Sequence, residues 1–171
     1  MTVDDIDLLA SYWTLAGDTY PGASSEVSPF PLRERIEVAM AAGWRGLGFV
    51  HADIIAQIQK LGMKQVKGLF ADNNVKHVEL EFVVDWHLSG PRRTASDEMF
   101  REDSTHHRKF CGEGALEVGG FIQAILDAGY RGYWGVEIIS RQLRKLPLEV
   151  AARRSFETTI SSFQQMRLPV S

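Results

Sequence analysis

Three observations in the sequence predict an α/β fold with about four parallel strands and helices on their outer face. Short apolar runs alternate with longer stretches of helical periodicity, the pattern of strand–helix–strand units. Two of the helical stretches stop in the same string, Ala42-Gly43-Trp44-Arg45-Gly46 and Ala128-Gly129-Tyr130-Arg131-Gly132, and each runs on into a strand. Finally, the segment 76–85 alternates. Val78, Leu80, Phe82 and Val84 share one face, and Glu79, Glu81 and Asp85 share the other.

Taken in order, residues 6–13 read as the first strand, and 15–30, rich in Gly, Ser and Pro, as a long loop. Pro31 suits the first position of a helix whose core face is Leu32, Ile36, Ala39 and Met40, with Gly43 as its stop. Strand two is 46–50. Asp53 is placed to cap a short helix through Ile54, Ile55 and Ile58 that ends at Gly62. A second helical piece from Met63 carries Val66, Leu69 and Phe70, and Asn73 and Asn74 end it. Strand three follows at 76–85. From 86 to 114 periodicity is lost, and a stretch of that length inside a compact domain is often functional. Val118, Phe121, Ile122, Ile125 and Leu126 then form a helical stripe, the last strand is 133–139, and Pro147 opens a final helix with Leu148, Ala152, Phe156, Ile160 and Phe163 toward the core.

Helices lie outside a parallel sheet, so the apolar strand faces must point toward them. Trp134, Val136 and Ile138 then face the helices, and Glu137 points away, as do Glu79 and Glu81. The inner side of the sheet carries acids. Aligned on the shared Ala-Gly-aromatic-Arg-Gly string, Glu137 falls on His51, so two copies of one unit each end in a side chain suited to binding metal or moving protons.

Composition excludes several classes. The 171 residues suffice for one domain with a core. A net charge of −3 with scattered basic residues argues against a nucleic-acid partner, and no apolar run spans a bilayer. The single cysteine, Cys111, excludes an internal disulfide, and acidic residues stand near the N-terminus where a signal peptide would be basic, so the expected location is cytoplasmic. Neither a phosphate loop nor a dinucleotide-binding glycine motif is present.

Ser11-Tyr12-Trp13-Thr14, Ala42-Gly43-Trp44-Arg45-Gly46 with His51 and Asp53, His77-Val78-Glu79-Leu80-Glu81-Phe82 with Asp85-Trp86, Arg92-Arg93 with Ser96-Asp97, Arg108 with Gly112-Glu113-Gly114, Gly129-Tyr130-Arg131-Gly132 and Val136-Glu137 together resemble the xylose isomerase-like TIM-barrel family. That family holds sugar-phosphate isomerases and epimerases, sugar dehydratases and endonuclease IV-type repair enzymes (AP endonuclease family 2). A full barrel has eight strand–helix units and about 250 residues. The match here implies a partial TIM barrel of four strands in the order last-1-2-3. The whole chain, 1–171, is then one truncated domain lacking strands four to seven, joined near 101–105. Two copies pairing to rebuild eight strands is the homodimer this arrangement raises.

The resemblance further implies a metal-assisted isomerase or epimerase that moves a proton next to the carbonyl of a small polyhydroxy substrate, with a divalent Mn, Mg, Co or Zn polarising the substrate oxygens. Glu137 maps onto the strand-eight metal ligand and His51 onto the strand-two histidine. Glu137 is the implied catalytic carboxylate, Glu81, which points inward from strand three, is placed to substitute as a ligand or base, and Arg108, His51 and Trp13 are the implied substrate contacts. A non-catalytic sugar-binding domain and a repair-nuclease relative are the alternative readings.

Overall fold

The computed structural model describes residues 5–81 and 102–164. Two of its left-handed glycines stop a helix and lead into a strand. Gly43, with φ 110°, ends helix α2 (Leu32–Ala42), its N–H donating to the carbonyls of Ala39 and Met40. Gly129, with φ 91°, follows helix α5 (Val118–Asp127) in the same way, as both Ala-Gly strings predict. Each stop delivers the chain to a strand. Strands β1 (Leu8–Ala10), β2 (Gly46–Phe49), β3 (His77–Leu80) and β4 (Trp134–Val136) form one all-parallel sheet in the order β3-β2-β1-β4. This is the order last-1-2-3 expected from the sequence.

The remaining helices are α1 (Tyr12–Leu15), α3 (His51–Leu61), α4 (Met63–Asp72) and α6 (Leu148–Gln164), with a helical turn at 102–106 and a tighter one at Leu143–Lys145. Their apolar stripes cover one face of the sheet. Leu8, Ala10, Leu47, Phe49, Val136 and Ile138 pack there against Ile36, Ala39, Val66, Leu69, Ile122, Leu126, Leu148, Ala152 and Phe163. Trp44 is buried in this layer, and its indole N–H donates to the carbonyl of Ala152 at 3.0 Å, so α6 is fixed to the strand-two unit. Burying such side chains is worth about 1.5–3 kcal/mol each. None of the described helices is long and apolar enough to cross a membrane.

The opposite face is concave. Three strand spacings of about 4.8 Å would hold side chains on β3 and β4 some ~14 Å apart in a flat sheet. Instead the His77 ring stacks on Tyr133 with centroids 4.5 Å apart. The sheet therefore curls until residues of its two outer strands meet. Gly46 lets β2 and β3 close together here, because a Cβ would stand 2.5 Å from the His77 carbonyl oxygen. Gly46→Ala is expected to cost about 1–3 kcal/mol, read as a lowered urea midpoint.

Three expectations need correction. Residues 6–13 do not form one strand: the chain leaves β1 at Ser11, whose carbonyl accepts the Thr14 N–H at 3.0 Å, and Trp13 lies in the turn of α1. Asp53 lies inside α3 rather than before it, in the first turn, and is fully buried. The outer face of β3 is not covered by a helix among the described residues, and Val78 and Leu80 are 54% and 60% exposed. The rest of strand three and most of the 86–114 stretch lie outside the described residues, as does residue 101 of the expected join, while 102–105 belong to a helical turn.

Candidate functional site

In a parallel α/β sheet, ligands bind beyond the carboxyl ends of the strands. Four predicted or newly placed residues stand there: Ser11 after β1, His51 after β2, Glu81 after β3 and Glu137 after β4. Their fates differ.

Glu81 is built into the concave face. The residue is 9% exposed. One carboxylate oxygen, Oε1, accepts the backbone N–H of Tyr12, which the break after β1 leaves free of the sheet. The other oxygen, Oε2, is buried with no partner. Burial, opposed by the Tyr12 N–H and reinforced by the charges of Glu137 and Glu79, raises its pKa to about 7. Gly48 makes room for this group, since a Cβ at that position would stand 2.7 Å from the Tyr12 nitrogen and 3.0 Å from Glu81 Oε1.

Glu79, on the same face, accepts a hydrogen bond from Ser11 Oγ at 2.9 Å. Glu137 stands at the exposed end of β4, held by a clamp on either side. The Thr14 hydroxyl donates to the Val136 carbonyl at 2.8 Å and accepts the Ile138 N–H at 3.0 Å. Burial raises the pKa of Glu137, Arg108 lowers it and Glu79 raises it further. Arg108 is exposed, with its Nε donating to the Ser104 carbonyl at 3.3 Å. The structure thus brings Glu79, Glu81 and Glu137 into mutual electrostatic reach and sets Arg108 beside Glu137. Arg108 and Glu137 also line a groove of about 650 Å³ that runs along β4 to Leu116, Phe121 and Trp134.

Trp13, an implied substrate contact, is buried next to Tyr12, whose N–H fixes Glu81. His51 does not join the acids by register. Gly46 and Gly135 both stand opposite Leu9, so Glu137 is level with Gly48, three residues before His51. The cause is the spacing after each glycine stop. The second unit spends Arg131, Gly132 and Tyr133 before its strand begins, whereas β2 begins at Gly46. His51 opens α3 instead and is exposed.

This bears on the divalent metal implied by the resemblance. Among the described residues, no three His, Cys, Asp or Glu side chains converge closely enough to hold an ion.

Two elements of the site carry no catalytic signature in the sequence. Ser11 and Thr14 read as an ordinary polar pair flanking aromatics, and only the return of β4 beside β1 gives each its partner. Compared with models of protein families and with curated proteins, the chain matches none.

Proposed function

We propose that the protein moves a proton at carbon next to the carbonyl of a small polyhydroxy compound, an isomerase- or epimerase-type reaction with Glu81 as the acid–base group. The carrying observation is the Glu81 carboxyl itself. It is nine-tenths buried beyond the end of a parallel strand, one oxygen is fixed by the Tyr12 N–H, and the other has no partner. A carboxyl titrating near 7 gives up and recovers a proton at neutral pH, which an ordinary carboxylate does poorly. In this reading the Glu81 carboxylate takes the proton from the substrate carbon, leaving an enediolate, and returns it on the same face to the neighbouring carbon, while the hydroxyl proton passes to the former carbonyl oxygen. Glu137 and Arg108 supply a carboxylate and a guanidinium for substrate hydroxyls and carbonyl at the rim. In this reading the working unit contains two copies of the chain. A metal shared between copies belongs to the same proposal, and no step above depends on it.

The test is deuterium uptake at the carbon next to the carbonyl, followed by NMR in D₂O across a panel of aldoses, ketoses and their phosphates. A substrate should show uptake whose rate follows one ionisation near pH 7, and Glu81→Gln should lower it by about 10²–10⁴-fold. Binding of a panel sugar with no uptake at any pH would instead indicate a sugar-binding domain without catalysis.

A further inference from the structure

The two outer strands of the sheet differ from each other in a matching way. In a parallel ladder, alternate residues bond to either side. On β4, Trp134 donates to the Asp7 carbonyl and Val136 accepts from Ser11, so Gly135 and Glu137 turn their amides and carbonyls toward the free edge. On β3, His77 donates to the Arg45 carbonyl and Glu81 to the Phe49 carbonyl, so Val78 and Leu80 turn theirs away from β2, where none of the described residues pairs with them. Beside β4 lies the 650 Å³ groove, walled on its far side by Leu116 and Phe121, which are 78% and 66% exposed. Beside β3 there is no such groove among the described residues, but the strand carries two exposed apolar side chains on its outer face, Val78 and Leu80. One edge has a slot with an apolar wall beside Gly135 and Glu137, closed at its far end where the Arg108 N–H donates to the Ile139 carbonyl at 3.2 Å. The other has a strand with apolar side chains and no wall.

We infer that these two edges form the seam between copies: β3 of one copy lies in the groove beside β4 of the other, parallel to it, with Val78 and Leu80 packed on Leu116 and Phe121. This names the surface on which the pairing proposed above depends. All four strands run the same way, so the order β3-β2-β1-β4 continues into the partner's β3 without reversing direction. The curl shown by the His77–Tyr133 stack bends the sheet toward a closed ring, and a twofold axis along the ring makes both seams identical. Closure removes both open strand edges, which an isolated sheet would otherwise expose to promiscuous pairing. It also sets the partner's Glu79 and Glu81 strand beside Glu137, so the acid face is completed by the second copy.

The test uses sedimentation equilibrium on the full chain, with amide exchange as a second readout. The native protein should be a dimer, and the amides of Val78, Leu80, Gly135 and Glu137 should exchange more slowly as concentration rises. Leu80→Lys and Phe121→Glu each place a charge at the seam but alter side chains that are exposed in one chain, so each should stay folded and dissociate at least about 100-fold more readily. Mixing the two should restore the dimer, because one seam then joins Lys to Glu and the other is native. A native protein that stays monomeric at high concentration overturns both the pairing and the seam. A dimer that survives both substitutions, or exchange at these amides that ignores concentration, overturns the seam alone. The titration of Glu81 in the monomeric variants reports on the proton-transfer reading separately.

Discussion

Replacing Asp53 with Ala is expected to lower the unfolding free energy by about 3–5 kcal/mol, the largest effect of any single substitution proposed here. Asp53 and Arg35 are 0% and 1% exposed, and Arg35 NH2 donates to Asp53 Oδ2 at 2.5 Å. The second oxygen, Oδ1, accepts the Ser28 N–H at 3.1 Å and the Gln57 amide at 3.3 Å. The guanidinium lies 5.6 Å from the Tyr12 ring and 5.7 Å from the Phe49 ring. Removing the carboxylate leaves a buried cation with its Nε already unpartnered and frees the loop that carries Ser28. Arg35→Met leaves the opposite charge stranded and should cost a similar amount. The pair Arg35→Met with Asp53→Leu should cost clearly less than the sum of the single changes, since an apolar pair strands no charge. Urea unfolding of the three variants checks this. Tyr12 rests on Arg35 and supplies the N–H that opposes the upward shift of Glu81, so single variants that displace Tyr12 while Glu81 stays buried should raise the Glu81 pKa further.

Glu81→Gln is expected to trade activity for stability in a pH-dependent way. A carboxyl whose pKa is raised by folding, here from 4.5 to about 7, favours the folded state while it is protonated in both states. Its contribution is fully present below the unfolded value of 4.5, and it is lost as pH rises through 7. A shift of that size corresponds to roughly 3 kcal/mol. Glutamine keeps an acceptor for the Tyr12 N–H and does not ionise. The stability of Glu81→Gln relative to the parent should therefore grow by roughly 3 kcal/mol between pH 4 and pH 8, while deuterium uptake is lost. Equal pH dependence of unfolding in the two proteins would show that Glu81 is not a strained acid and would remove the basis of the proposed chemistry.

The parts of this molecule that local chemistry decides are legible in the sequence. The glycine stops at 43 and 129 and the alternation that turns Val136 and Ile138 outward and Glu81 inward follow from residue spacing, whereas the neighbouring of the last strand and the first is implied only by the family resemblance. The parts decided by long-range partners are not. Tyr12 and Trp13 read as a continuation of β1, but the Tyr12 N–H is claimed by Glu81, 69 residues later. Asp53 reads as a helix cap because its true partners, Ser28 and Arg35, come from a loop and a helix far behind it. The repeat that equates His51 with Glu137 holds in the string and fails in space, since pairing opposite Leu9 decides which residues are level.

The central position of β1 also has a consequence for synthesis. The strand made first is flanked by one neighbour made soon after and by another made near the end. Thr14 meets Val136 across 122 residues. At about 5–20 residues per second, the ribosome leaves that side of β1 without its partner for roughly 6–24 s. During that interval Leu8 and Ala10, later covered by α5, α6 and β4, depend on the nascent chain's own collapse or on a chaperone for protection from water and from other chains.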